Sequence, residues 1–550
     1  MRTSRINPGQ PAMKTNCVTR RLATLGLLAL VGLGAAACSD DLLTEVPQDI
    51  IVADNLYTNA AGFEAGLNAL YAQVRKERNG YFDAGNNIVG VAWWVGVDNG
   101  WGNYLLTASR VHQELGSYNN SLHNNYEWMW WWLYQTINAA NTIVNRAENP
   151  EVRWTEAEKN RVLAEARLFR AWAYRHLTYL WGDVPLHLEE SSGENIRTDW
   201  VCAPKREVWG QMEEDLLFAE QHLPATSTRQ GKVTKAVAQH YLAELYLAMG
   251  DAAKAEAKAA AVINSGLYKL ITQRYGVRVN QPGVPFMDQF VDGNSNRSEG
   301  NTETLWTLQL DRDLEGGGLN IMRRYWVNRY YTLAGIDAGG EGQAGRGIGR
   351  LAPTKWALQL YEPQDERGSH YALWKFLIYN NAKTLPKGKK LGDTLWLKWD
   401  RETKDDPLWP SPRKWDWINP IDPTGGYQYN DQPYLRLAET YLLLAEAQFK
   451  QGKLAEAATS INALRSRAGA PLATAGEIPL DYLLDERSRE LLNEEERRHT
   501  LVRTGTWLDR VKRYNPASAA VVTARDTIFP IPQAVIDANL TKPMAQNPGY

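Results

Sequence analysis

The eight histidines stand at positions 112, 123, 176, 187, 222, 240, 370 and 499. They form no HExxH pair and no tight doublet, the spacings that bring two imidazoles onto one metal. No GxSxG elbow raises a serine nucleophile. Gly316-Gly317-Gly318 lacks the following Lys-Ser/Thr that a phosphate-cradling loop needs. Of the three cysteines, Cys17 and Cys38 belong to the N-terminal stretch, which leaves Cys202 alone, with no disulfide framework and no thiolate metal site. Carboxylate pairs that hydrolyse glycosidic bonds are set by distance in space, and Glu494-Glu495-Glu496 is the run that invites the idea. Beside Arg497 and Arg498 that run reads instead as a solvated or salt-bridged helix face. No catalytic set, metal or cofactor is expected.

The aromatic balance carries more. The chain has 22 Trp and 26 Tyr against 9 Phe. Phe would fill a core equally well, whereas Trp and Tyr add a hydrogen-bonding rim to a flat apolar face. A sugar ring has C–H groups on one face and hydroxyls around its edge, so stacking plus edge hydrogen bonds suits carbohydrate. Three clusters compete. The first joins Trp93, Trp94 and Trp101 with Asp98, Asn99, Asn103 and Tyr104 among glycines. The second joins Arg323, Tyr325 and Trp326 with Asn320, Arg329, Tyr330 and Tyr331 after the triple glycine. The third is Trp128-Met129-Trp130-Trp131-Trp132, which lies in a helical pattern and reads as packing. The expected stacking platform is therefore Trp93, Trp94, Trp101, Tyr325 and Trp326, with Asp98, Asn99, Asn103 and Arg323 at the sugar edge. Trp415 and Trp417 precede a helix and read as structural.

Positioning these residues falls to a mainly α chain. In 161–181 the stripe Leu163, Ala166, Phe169, Ala173, Leu177, Leu180 recurs at steps of three and four, one face of a helix, which Gly182 and Pro185 stop. Leu435, Ala438, Leu442, Ala445 and Phe449 repeat that period. Two stretches share a finer pattern: Gly250 follows Ala243 by seven positions and Ala255 follows it by five, as Gly452 and Ala457 do after Ala445. This is the chemistry of a tetratricopeptide helix pair, in which alanines allow close approach and glycine takes the αL position between helices. Residues 161–181 with 205–223 form a third candidate pair, and 483–513 supply further helix. The repeats span about 126–270 and 433–513. Residues 82–125 and 270–432, rich in Gly, Asn, Pro, Trp and Tyr, read as an irregular ligand-binding loop layer.

The N-terminus reads as an address. Residues 1–21 are basic, 22–37 are apolar, and small residues run directly into Cys38, the acceptor position for a lipid anchor. Ala35 stands where such signals prefer Leu, and Ser39-Asp40-Asp41 follows as surface-export signals do. The expected division is a signal peptide, 1–37, and one unit, 38–550. Without the five basic residues of 1–37, 56 Lys and Arg face 63 Asp and Glu, a net of −7 that does not suit nucleic acid.

These segments, in order, resemble the SusD/RagB family of outer-membrane nutrient-binding lipoproteins. Tyr126-Glu127-Trp128 running to Ile137-Asn138-Ala139-Ala140-Asn141 is similar to its early helix. Glu165-Ala166-Arg167-Leu168-Phe169-Arg170-Ala171 with Trp181-Gly182-Asp183-Val184-Pro185 resembles its most recognisable segment, and 235–270 its repeat region. The stretch 434–469, the block 485–505 and the ending Phe529-Pro530-Ile531-Pro532 to Gln546-Asn547-Pro548-Gly549-Tyr550 follow the same order. The resemblance implies a tetratricopeptide-like scaffold and a lipid-anchored protein on the cell surface. It also implies a non-catalytic function, capturing oligosaccharide for a SusC-like TonB-dependent transporter. Some members resemble peptide-uptake proteins, so peptide remains an alternative ligand. A surface glycoside hydrolase and a scaffold that binds only proteins are the other readings. If Cys38 carries the lipid, Cys38→Ala moves the protein from the membrane fraction to the soluble fraction, and retention of the variant in the membrane overturns the assignment.

Overall fold

Thr155 and Glu158 show how the sequence starts the 26-residue helix Glu156–Trp181, the longest among the described residues. The Thr155 hydroxyl accepts from the Glu158 amide, and the Glu158 carboxylate accepts from the Thr155 amide at 2.8 Å, satisfying two amides that have no partner within the helix. The computed structural model describes residues 53–79, 90–103, 110, 112–193, 195–312, 314, 316–337, 345–400, 406–423, 425 and 427–550. The expected signal peptide and Cys38 lie outside these residues, as does Tyr104. Residues Met1–Leu56 form one unit, of which the helix Ala53–Leu56 is described, and Tyr57–Tyr550 form the other.

The second unit is mainly helical, as expected. Its array consists of α1 (Ala60–Asn79), α2 (Asn124–Arg146), α3 (Glu156–Trp181), α4 (Lys205–His222), α5 (Lys235–Met249), α6 (Ala252–Asn264), α7 (Leu437–Lys450), α8 (Leu454–Arg467) and α9 (Leu480–Leu491). Each helix from α1 to α8 packs on the next, and α9 returns onto α7. The third candidate pair is present as α3 and α4, joined by Arg170, which holds Asp215 in a two-pronged pair at 2.7 and 2.8 Å. The two glycine turns are built alike. Gly250 has φ 87° and Gly452 φ 74°, and in each the next amide bonds back five residues, Asp251 to Tyr246 at 2.8 Å and Lys453 to Gln448 at 3.0 Å. Ala243, Ala255, Ala445 and Ala457 are fully buried, so the backbones approach where the side chains are smallest. After α9 come α10 (Arg497–Arg503) and α11 (Trp507–Tyr514). Among the described residues no helix is long and apolar enough to cross a membrane.

Residues 265–436 leave the array after α6 and return at α7, which nevertheless packs directly on α6. Among the described residues they and the other connections form four two-stranded antiparallel sheets: β1 (Gly100–Gly102) with β5 (Leu351–Pro353), β2 (Val184–Pro185) with β3 (Cys202–Ala203), β4 (Thr304–Leu308) with β8 (Gln432–Arg436), and β6 (Phe376–Ile378) with β7 (Thr394–Trp396). Strand β8 runs straight into α7, so the loop layer and the array share one continuous backbone at Arg436.

One expectation is corrected here. Glu494-Glu495-Glu496 is salt-bridged, as one form of the reading has it, but it is not a solvated helix face: it is the turn between α9 and α10, and all three side chains are buried. Asn493, with φ 59°, bends the chain inward. Glu494 then meets Arg436 at 2.6 Å, Glu495 meets Arg487 and Arg497 at 2.7 and 2.8 Å, and Glu496 meets Arg175 at 3.1 Å. Buried carboxylates need such partners, because desolvation penalises an unpaired charge heavily.

Glu77 is less well compensated. It is fully buried, 3.3 Å from Arg78 and beside Tyr434. Burial, with the nearby charge of Glu496 and against the pull of Arg78, raises its pKa to about 7. The folded chain thus keeps a proton that the unfolded chain releases above about pH 4.5, and this group subtracts stability as pH rises toward 7. Glu77→Gln should therefore unfold at higher temperature than wild type at pH 8, by about 1–3 kcal/mol of stability. The gap should shrink at pH 5, and a gap independent of pH in thermal melts would overturn the assignment.

Candidate functional site: an aromatic cleft beside the second helix

The expected platform lies in the interior. Trp93, Trp94, Trp101, Tyr325 and Trp326 are each at most 2% exposed, which corrects the expectation that they face solvent. The two clusters do meet, with the Trp94 and Trp326 rings 6.1 Å apart and the Arg350 guanidinium 4.9 Å from the Tyr325 ring centre. They meet as core. Pairing of β1 with β5 sets Trp101 opposite Ala352, and its indole donates to the Pro353 carbonyl at 3.0 Å. The edge residues serve the same interior. Asp98 is held by Arg497 and Arg510, each at 2.7 Å, and Asn99 donates to Ser488 at 3.2 Å. Asn103 donates to the Gly349 carbonyl at 3.2 Å, and Arg323 donates to the carbonyls of Trp417 and Gly425. Trp415 is buried and Trp417 half-buried, in line with their structural reading.

The third cluster divides. Trp130 and Trp132 are buried as expected, and the Trp132 indole donates to the Gln73 carbonyl at 2.8 Å. Trp131 is 43% exposed, which corrects its reading as core. A helix of 3.6 residues per turn cannot turn three consecutive rings to one side. Trp131, Gln135 and Asn138, at i, i+4 and i+7, form instead a stripe along the outer face of α2.

That stripe is one wall of a cleft of about 720 Å³. Its opposite walls come from the segment after α3, with Pro185, His187, Ser191, Arg197 and Trp200, and from the C-terminal stretch that begins with the helix Gln533–Asp537, with Val535, Asn539 and Met544. Each wall is pinned. The Tyr134 hydroxyl donates to the Pro185 carbonyl at 2.7 Å, and Asn138 accepts from the Ser191 amide at 2.7 Å. Asn539 accepts from the Trp200 amide at 2.7 Å and donates to its carbonyl at 2.8 Å, which fixes the Trp200 backbone as a strand partner would. The Trp200 ring has the His187 ring on its edge, centroids 4.9 Å apart, and the Arg197 guanidinium 4.3 Å from its centre. Burial lowers the His187 pKa below the ordinary histidine value, so the imidazole is neutral at neutral pH and exchanges a hydrogen bond with the Ser191 hydroxyl at 2.8 Å.

The site thus offers rings held at fixed positions and amide, hydroxyl and guanidinium groups at its edges. Among the described residues the lining contains no Asp or Glu, and Asp199, next to Trp200 in the chain, pairs with Arg197 at 2.9 Å. A polar groove of about 870 Å³ beside α1 and β4 is a weaker candidate, because its cations are already engaged by neighbouring groups, Arg75 by the Gln309 carbonyl at 2.9 Å. Lys232 meets Glu165 at 3.1 Å and Arg229 meets Glu64 at 2.9 Å. Among the described residues, Glu77, His176 and Glu496 could share a metal ion, but Arg175 already pairs with Glu496, and burial favours the protonated, uncharged form of Glu77.

Comparison with known proteins places this geometry. Residues 400–550 match the model of the SusD family, and residues 61–247 match a model described as starch-binding associating with outer membrane. "SusD-like protein P2" of Formosa agariphila is 25% identical over 95% of this chain and 98% of its own length. "Starch-binding protein SusD" of Bacteroides thetaiotaomicron is 26% identical over 77% of this chain and 78% of its own. Among solved structures, a laminarin binding SusD-like protein superposes with a TM-score of 0.69 at 22% identity, covering 90% of this chain and 100% of its own. Surface glycan-binding protein A of Bacteroides thetaiotaomicron, in complex with laminarihexaose, gives 0.70 at 18% identity over 89% of this chain and 100% of its own. With family models at both ends of the helical array and relatives aligned along nearly its whole length, the chain belongs to the SusD/RagB family.

Proposed function

We propose that this protein binds oligosaccharide at the outer-membrane surface and hands it to a SusC-like TonB-dependent transporter, leaving the glycan chemically unchanged. Trp131 carries the reading. A large ring half open to water, on a helix whose neighbouring tryptophans are buried, lines a concave site whose far wall holds Trp200. A sugar face stacks on such rings while Gln135, Asn138, Arg197 and Asn539 meet its hydroxyls. The names of relatives also support it, one called starch-binding and one laminarin binding. A lipid on Cys38 would hold the protein beside its transporter.

Tryptophan fluorescence titration against a panel of neutral oligosaccharides and peptides tests the reading. Trp131→Ala should weaken binding of the responding oligosaccharide by about 1–3 kcal/mol, with the melting temperature essentially unchanged. Trp132→Ala should instead lose about 3–5 kcal/mol of stability. Unchanged affinity in Trp131→Ala would remove the cleft as the site. A response to peptides alone would replace the glycan reading with peptide uptake.

A further inference from the structure

Residues 371–400 contain six lysines, Lys375, Lys383, Lys387, Lys389, Lys390 and Lys398, against two acids, Asp393 and Asp400. The chain as a whole carries −2, so this excess is local. Strands β6 and β7 fold the segment into a hairpin, with Phe376 opposite Trp396 and the four lysines from 383 to 390 exposed on the connection between them. None of the six lysines makes an ion pair among the described residues. Asp393 accepts from the Lys390 amide at 2.9 Å and so closes the turn with its carboxylate. Exposed like charges repel, and a cluster that the protein leaves unmatched focuses a positive potential on whatever approaches it.

The same hairpin carries a ladder of rings. His370 stacks on Phe376 with centroids 3.8 Å apart and planes 9° apart, and Phe376 meets Trp396 at 5.2 Å. Trp396 is 65% exposed, and Tyr371 and Trp399 are exposed beside it. Behind the ladder, Arg413 lies over Trp374 at 3.9 Å and donates to the His370 carbonyl at 2.8 Å. Arg278, Arg413 and Tyr371 line a small cavity of about 110 Å³, where Asp416 and Asp288 are the acids present and Arg274 pairs with Asp288 at 2.7 Å. Burial, with Arg413 and Lys375 close by, lowers the His370 pKa to about 4, so the ladder itself is uncharged at neutral pH.

Resting on the glycan-binding reading above, we infer that this hairpin is a second contact site, selective for a polysaccharide bearing carboxylate or sulfate groups. Trp396 offers the stacking face, and Lys383, Lys387, Lys389 and Lys390 pair with the anionic groups. A neutral sugar would use the four ammonium groups only as hydrogen-bond donors, whereas an anionic one would also match their charge. An anionic lipid surface would use the lysines too, but membrane insertion calls for an apolar wedge, and on the hairpin connection the one exposed large aliphatic side chain among the described residues is Leu391.

The test uses the full chain, the quadruple variant K383A/K387A/K389A/K390A and W396A. The probes are a neutral β-glucan oligosaccharide, polygalacturonate, dextran sulfate and vesicles of anionic phospholipid. Wild type should bind at least one of the two polyanions, with affinity falling roughly tenfold or more as salt screens the lysines. The quadruple variant should lose about tenfold in that affinity at low salt and W396A a comparable amount, with both melting like wild type and binding the neutral probe within about twofold of it. Polygalacturonate against dextran sulfate decides between carboxylate and sulfate. Binding of the neutral probe with no binding of either polyanion overturns this inference and leaves the glycan reading standing. Binding of no glycan at all overturns that reading. Polyanion binding that the quadruple variant retains places the site elsewhere, and lysine-dependent capture by vesicles without polyanion binding makes the hairpin a membrane contact.

Discussion

Glu490 is the residue around which the two halves of the molecule are joined. Its carboxylate is fully buried and meets three arginines: Arg467 from the end of α8, Arg436 from the junction of β8 and α7 at 3.1 Å, and Arg367 from the loop layer at 3.1 Å. Burial alone would push its pKa up, yet the three guanidinium groups hold it far below the usual carboxylate range. Removing any one partner strands a charge in a low-dielectric interior, which costs far more than a surface pair contributes. The pairs spread outward from there. Glu303 binds both Arg436 and Arg467, Glu486 binds Arg367 and Arg465, and Lys414 reaches Glu494. Hydrophobic contact would hold a loop layer against helices in many registers, whereas interlocking forks of fixed geometry accept one.

That register places the cleft. The stripe of Trp131, Gln135 and Asn138 lies on a helix whose other faces are occupied by α1 and α3, and the far walls are fastened to it by short hydrogen bonds through Tyr134 and Asn138. The hairpin of β6 and β7 stands apart from the array, carries its own small apolar cluster with Trp374 and Leu377, and displays lysines that nothing in the fold requires. The interior is therefore rich in matched charge, while this exposed element keeps charge unmatched.

Much of the scaffold was legible because its signals are local. The stripe of α3 and the positions of Gly250 and Gly452 follow from helical period and from the left-handed conformation that glycine adopts freely, and neither depends on distant residues. The burial of Trp93, Trp94 and Trp101 depends on His176, His499, Trp326 and 351–353 packing against them, which no short window reveals. Glu494, Glu495 and Glu496 turned inward for a similar reason: their arginine partners come from β8, α9, α10 and α3. The outward face of Trp131 was available to sequence reasoning. Counting 3.6 residues per turn sets 131, 135 and 138 together and apart from Trp132, and grouping the tryptophans as one cluster hid it.

Direct packing of α6 on α7 across residues 265–436 has a consequence for how the chain is made. Translation finishes the first six helices of the array well before α7 leaves the ribosome, so the side of α6 that α7 covers must wait for a partner still unsynthesised. The completed array then closes through a contact of large sequence separation, the kind that slows folding because loop entropy is lost before any contact compensates it. Evolution gains from the same arrangement. Both ends of the insertion sit at one junction of the helical stack, so loops can be lengthened, shortened or recharged there without re-registering a single helix.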